Sequence, residues 1–276
     1  MRWPLSIGLL IGALTACNDS PVKELACESV QIGHFVSIPS GRFKPSSRSL
    51  AEDVIGFQLL QHEVTNAQFA DFVATTGYVT DAERGTQTGE GGSGVFSLPS
   101  DVSPGVWRYE AFVNWRTPLE QGLASPQHPV VHVSHNDATA FARWYGGRLP
   151  TETEWEYAAW LGLFDTERSD SGAFDQQGQP RANTWQGVFP LVDRGTDGYQ
   201  GLAPVGCFEP SAVGLSDMIG NVWEWTATPY DASLQYTIKG GSYLCAANYC
   251  RRYRPAGRQG QDADFSTSHI GFRVVR

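Results

Sequence analysis

Gly147-Arg148-Leu149-Pro150-Thr151-Glu152-Thr153-Glu154-Trp155-Glu156-Tyr157-Ala158 contains a complete helix start. Thr151 can accept the backbone N–H of Glu154 while the Glu154 side chain reaches back to the N–H of Thr151, the reciprocal pairing of a capping box, and Pro150 breaks whatever precedes it. Trp155, Ala158 and Ala159 then fall on one inward face. The same logic places a helix after Thr65-Asn66-Ala67-Gln68, with Phe69, Phe72 and Val73 on the apolar face and Gly77 as its stop. A third follows Ser134-His135-Asn136-Asp137, where Ala138, Phe141, Ala142 and Tyr145 recur at helical spacing. Strand candidates are short, at residues 33–38, 130–133 and 271–275. Beyond residue 165, Gly, Pro, Asp and Asn recur too often for long regular elements. The pattern predicts a single α+β domain, loop-rich, with low regular secondary structure.

The 276 residues include 30 glycines, 16 prolines and nine tryptophans, and 41% are hydrophobic. That mixture can bury a core while large rings pin irregular backbone. A net charge of −9 argues against nucleic acid as a partner, because an acidic surface repels phosphate. The short basic run Arg251, Arg252 and Arg254 reads as a solvated face or internal pairing. Residues 85–94, with Gly89, Gly91, Gly92 and Gly94, read as a mobile surface loop.

The amino terminus reads as a targeting segment. Arg2 supplies the positive charge, and the apolar run at residues 5–16 suits a signal peptide but falls short of the ~20 residues that span a bilayer. Leu14-Thr15-Ala16-Cys17 resembles the lipobox of bacterial lipoproteins, in which the cysteine becomes the lipidated first residue. An ordinary signal peptide cleaved nearby is the alternative. The division expected is a leader at 1–16, a tether at 17–30 and a domain at 31–276, exported and held at a bacterial membrane only through lipid on Cys17. With Cys17 set aside, Cys27, Cys207, Cys245 and Cys250 remain, and four cysteines allow three pairings. Export permits disulfides, and the simplest division is Cys245 with Cys250 and Cys27 with Cys207.

Three runs could carry chemistry. In Lys239-Gly240-Gly241-Ser242-Tyr243-Leu244-Cys245-Ala246-Ala247-Asn248-Tyr249-Cys250, paired glycines allow close backbone approach, and two cysteines follow. Zinc would need further ligands that the sequence does not supply. Two thiolates alone suit a soft ion such as Cu(I), and a structural disulfide is the competing reading. In residues 214–225, Asp217 and Glu224 flank the Gly220 turn, which are materials for a Ca²⁺ site. Core tryptophans with solvated acids are the other reading of the run. Asn183 and Thr184, followed by Asp197 and Tyr199, allow either a second calcium site or ordinary Asx turns. The six histidines are scattered and read as surface or capping residues. No Ser–His–Asp signature, phosphate loop or dinucleotide fingerprint is present.

Taken together, these runs resemble the sulfatase-modifying factor family, to which formylglycine-generating enzymes belong. The resemblance covers residues 31–276 and rests on five segments in family order. They are Glu63-Val64-Thr65-Asn66, His128-Pro129-Val130-Val131-His132-Val133-Ser134, the helix start quoted first, Gly220-Asn221-Val222-Trp223-Glu224-Trp225, and Gly240-Gly241-Ser242 through the closing Gly271-Phe272-Arg273. It implies a fold distantly like C-type lectins, and a monomeric oxidase in which Cys245 and Cys250 hold Cu(I). The substrate implied is a cysteine in a Cys-x-Pro-x-Arg segment of an unfolded sulfatase, converted to Cα-formylglycine with molecular oxygen. It further implies a catalytic groove lined by Ser242, Trp223, Tyr249 and Arg258, and two structural calcium sites. The first comprises Asn183, Thr184, Asp197 and Tyr199, and the second Asp217, Gly220, Val222 and Glu224, with Thr184, Tyr199, Gly220 and Val222 acting through backbone carbonyls. The family also contains members without reactive cysteines, iron-dependent sulfoxide synthases that need a histidine triad on a helical domain, and proteins of siderophore maturation. A non-catalytic binding lipoprotein or a cofactor-maturation protein is therefore the alternative function. The departures are His269 where an Asn is typical, His135 in place of a common Trp, and Pro255 and Val274 where some relatives carry cysteines.

Overall fold

The computed structural model describes Cys27 and residues 31–84, 91–99, 105–118, 122–163, 172–232 and 234–276. The leader, most of the tether with Cys17, and residues 85–90 of the glycine-rich stretch lie outside the described residues.

The chain opens with β1 (Phe35–Ile38), β2 (Gly41–Phe43), β3 (Glu52–Val54) and β4 (Phe57–Leu60), which form two antiparallel ladders, β1 with β4 and β2 with β3. Next come α1 (Asn66–Thr76), a short α2 (Asp81–Arg84), and the hairpin of β5 (Gly92–Ser97) with β6 (Val106–Ala111). Helices α3 (His135–Trp144) and α4 (Glu152–Leu161) follow, and then a small ladder of β7 (Gly187–Val188) with β8 (Val192–Asp193). The largest sheet closes the chain: β9 (Trp223–Pro229), β10 (Gln235–Lys239), β11 (Arg258–Asp262) and β12 (Ile270–Gly271), in the order β11-β10-β9-β12. Its pairs are antiparallel except β12, which runs parallel to β9. Among the described residues, no helix is long and apolar enough to cross a membrane.

All three capping boxes form. Thr65, Ser134 and Thr151 each accept the N3 backbone N–H, and Gln68, Asp137 and Glu154 reciprocate. Gly77 ends α1 at φ 68°, a left-handed turn that glycine takes without a Cβ clash. The apolar faces then meet. Phe69, Phe72, Phe141, Trp115, Trp223, Trp225 and Phe272 share one core, while Trp155 and Tyr157 of α4 pack with Ile38, Leu59 and Leu215 in a second.

Several sequence expectations are corrected. Residues 130–133 are buried but form no strand, because His132 sits at φ 58° and breaks the extended backbone. Gly92 and Gly94, expected in a surface loop, lie in β5, where a Cβ on Gly94 would press on Phe265 and Thr267. His62, His132 and His135 are buried rather than superficial, and the strand expected at 271–275 is reduced to β12 plus isolated bridges of Val275 to Leu59 and Arg148. The expected Cys27–Cys207 disulfide forms, whereas Cys245 and Cys250 are free, against the disulfide reading of that pair.

Candidate active site

The two free thiols line a cleft of about 440 Å³. A tight turn brings them together, since Cys245 N–H donates to Ser242 O (2.9 Å) and the buried Ser242 hydroxyl accepts from Leu244 N–H (3.3 Å). Ala246 and Tyr249 then exchange backbone hydrogen bonds, and Cys250 takes φ 55°. The sulfurs end 2.7 Å apart. Cys245 is buried and Cys250 half-buried. Burial pushes the Cys245 thiol well above its ordinary range, while the Cys245 S–H, donated to Cys250, holds that sulfur below its own. Cys250 is thus the sulfur that ionises first.

The cleft walls come from distant parts of the chain. Trp223 opens β9, Gln259 and Gln261 project from β11, and Trp107 and Tyr109 from β6. Tyr249 stacks on Phe189 with ring centroids 4.4 Å apart and planes 7° from parallel. His269 packs on Trp107 with centroids 4.7 Å apart. Ser242, Trp223 and Tyr249, expected at the groove, line the cleft with both cysteines. Arg258 does not line it. Alternation along β11 turns Arg258 to the other face, where its Nε donates to Glu152 (2.7 Å) and the guanidinium lies 4.3 Å from the Tyr230 ring. Trp107, Phe189, Gln259 and Gln261 were missed in the sequence, since nothing local ties a hairpin or a sheet edge to a turn far along the chain.

The oxygen-rich runs form two adjoining groups. In the first, Asp197 accepts from Thr184 N–H (3.0 Å) and Tyr199 N–H (3.1 Å), and burial lifts its pKa to about 6. Asn183 uses its amide hydrogens on Gly201 O and Asn221 Oδ1, while its Oδ1 takes no hydrogen bond among the described residues. In the second, the acids are not solvated: Glu224 is buried and paired at 2.6 Å with buried Arg273, and Asp217 is half-buried. Burial is the main cause that drives Glu63 well above its ordinary range, with Asp217 and Glu224 adding repulsion, and the Glu63 Oε1 and Ser216 Oγ have no partner among the described residues. The groups meet where Asn221 N–H donates to Asn183 O (2.8 Å) and Gly220 leaves no room for a Cβ against that carbonyl. Among the described residues, no three His, Cys, Asp or Glu side chains converge as a metal cage, so a cation here must draw on backbone oxygens. Three carboxylates against one arginine, with oxygens left unpaired, nevertheless form an oxygen set that suits a hard cation. The two sulfurs, soft and uncrowded by other donors, likewise suit Cu(I).

The fold and the paired thiols place this chain among the sulfatase-modifying factors. Residues 22–276 match the sulfatase-modifying factor enzyme 1-like domain, and the chain belongs to that family. It is 40% identical over 297 residues to the formylglycine-generating enzyme of Mycobacterium tuberculosis, covering 87% of this chain and 97% of that protein. It is also 36% identical to the inactive C-alpha-formylglycine-generating enzyme 2 of Mus musculus, covering 91% of this chain and 90% of that protein. Among solved structures, PvdO from Pseudomonas aeruginosa shares the fold, with TM-score 0.61 at 22% identity over 88% of this chain and 93% of its own.

Proposed function

We propose that this chain is a sulfatase-activating oxidoreductase that converts a cysteine in an unfolded sulfatase, within Cys-x-Pro-x-Arg, into Cα-formylglycine. The observation that carries the reading is the pair of free thiols, Cys245 and Cys250, lining an aromatic-walled cleft. The likeness to the mycobacterial formylglycine-generating enzyme supports it.

The overall change takes the substrate thiol, one dioxygen, and two electrons with two protons from an external thiol reductant. It yields the aldehyde, one hydrogen sulfide and one water. A copper(I) ion held by the Cys245 and Cys250 thiolates would supply the one-electron chemistry that makes dioxygen reactive. The protein's own part is to bind and orient. Cys250, held below the ordinary thiol range by its bond with Cys245, is the readier of the two to give up its proton, and both thiols would lose theirs on holding the ion. Ser242 and Leu244 fix the turn, so the thiols are presented without reorganisation. Trp223 and the stacked Tyr249 and Phe189 shield the reacting methylene from water and hold the peptide over the sulfurs. Calcium would bind the two oxygen groups as structural ions. Export, with lipid on Cys17 as the only membrane attachment, fits oxidising conditions and the Cys27–Cys207 disulfide. The protein acts as a monomer on this reading.

A non-catalytic binding role is the second reading, favoured by the inactive murine relative. The deciding experiment incubates copper-loaded protein with a Cys-x-Pro-x-Arg peptide, oxygen and a thiol reductant, and follows peptide mass. The oxidase reading expects aldehyde from wild type and none from C245S or C250S. Folded, copper-loaded wild type that yields no aldehyde from several such peptides would establish the binding role instead.

A further inference from the structure

His269 is the cleft's one histidine among the described residues, and its surroundings leave it with a single task. Its backbone O accepts from Trp223 N–H (2.9 Å), immediately before β12 joins β9, so its position is set by the central sheet. Its ring is held on one side by Trp107. Nδ1 lies 2.7 Å from Thr267 Oγ1. The Thr267 hydroxyl is buried and has no other hydrogen-bond partner among the described residues. If Nδ1 carried the proton, that hydroxyl hydrogen would be left buried without an acceptor, which is unfavourable. The hydroxyl therefore donates to Nδ1, and the ring proton resides on Nε2. Nε2 has no partner among the described residues, and the half-buried ring lines the cleft. Burial, then the neighbouring His132, push its pKa down to about 3, so the ring stays neutral.

We propose that His269 is a specificity-determining residue that presents a neutral Nε2–H to the cleft and hydrogen-bonds a carbonyl oxygen of the bound cysteine-bearing peptide. The inference rests on the reading of the cleft as a peptide site. A side-chain amide at this position offers both a donor and an acceptor on a shorter arm. The histidine offers a donor alone, on a longer arm, and thus selects peptides that present a carbonyl there rather than an N–H. His269 acts on the substrate by position, through the Nε2–H that its bond to Thr267 leaves facing the cleft.

The test measures binding separately from turnover, with copper-free protein and a fluorescein-labelled Ser-x-Pro-x-Arg peptide, in which serine replaces the reactive cysteine. His269→Phe keeps the ring on Trp107 and removes the donor. It should weaken peptide binding by about ten-fold, the effect of one lost neutral hydrogen bond. His269→Gln returns an amide N–H near the Nε2 position and should recover most of that loss. Wild-type affinity should stay flat between pH 5.5 and 8. Equal affinity of His269→Phe and wild type, a Gln variant as weak as the Phe variant, or a wild-type affinity that titrates near pH 6.5 would each overturn the inference. Wild type that binds the peptide yet makes no aldehyde from its cysteine form would remove the catalytic reading and leave this one standing.

Discussion

Cys245 and Cys250 are chemically unequal although they touch. One is buried and its thiol is pushed up by that burial; the other is half-buried and its hydrogen bond with Cys245 holds it below the ordinary range. Iodoacetamide should therefore alkylate Cys250 first, at a pH below that of an ordinary thiol. C245A removes the donor and should slow labelling of Cys250 at pH 7.5. Equal labelling of both thiols in the native protein, read by peptide mass mapping, would refute that inequality. His135 shows a similar contrast between residue type and surroundings. It stacks on Tyr236 with centroids 3.6 Å apart, and its Nε2–H donates to Thr226 O (3.1 Å). Burial lowers its pKa from 6.5 to about 4. The unfolded chain thus takes up this proton first, and the stability tied to neutral His135 is complete above pH 6.5 and lost as pH falls toward 4. H135F should make stability at pH 7 about 1 kcal/mol lower, through the unpaired Thr226 O, and flatten the decline between pH 6.5 and 4. Urea unfolding at both pH values checks this, and an unchanged slope with pH would sink it. Neither the burial of His135 nor that of His132 was legible in the sequence, because a lone histidine carries no periodic signal and its neighbours come from β9 and β10 or from β5.

At the scale of elements, legibility follows sequence separation. Each capping box joins residues three apart, so all three helix starts could be read directly. The cysteine turn was legible for the same reason, with its serine, tyrosine and both thiols within residues 242–250. The sheet that carries the site was not, since β12 reaches β9 across residues 223–270 and the second cleft wall comes from the β5–β6 hairpin. Arg258 shows the limit sharply. A motif names the residue, but only the pairing of β11 with β10 decides that Gln259 and Gln261 face the cleft while Arg258 faces Glu152. Helix α4 links the two kinds of information. Its cap is local, yet its first turns present Glu152 to Arg258 and Glu156 to buried Lys239 at 2.9 Å. T151A removes the hydroxyl that accepts Glu154 N–H at 3.2 Å and should lower stability by about 1 kcal/mol. Chemical denaturation measures it, and a loss within error would mean that the ion pairs, not the cap, hold the first turn.

Across the whole molecule, chain closure and charge hold together a fold with little regular structure. The Cys27–Cys207 disulfide spans 180 residues, and its S–S bond ties the start of the domain to the loop whose Gly206 N–H contacts Asp217. Beside it, Tyr199 OH lies 3.3 Å from Cys27 Sγ. The disulfide loop therefore leads straight into both oxygen groups. Glu63, Asp217 and Glu224 share one buried arginine, and in the absence of a cation burial and mutual repulsion favour protonation of Glu63 and raise Asp217 to about 6. An ion that binds only the folded state stabilises it by mass action, by about 2.7 kcal/mol at one hundred times its Kd. Calcium should raise the melting temperature, and chelation should lower it, without dissociating the thiol site. E63Q separates this account from simple acid repulsion. In chelator, the neutral amide should leave the melt unchanged or higher, because a repelling carboxyl is gone. In calcium, the same variant should gain less than wild type, because the unpaired Glu63 Oε1 is no longer a charged oxygen. If purified protein contains no calcium by elemental analysis and wild type and E63Q melt alike with and without the ion, the oxygen groups are turns that tolerate buried acids by protonating them.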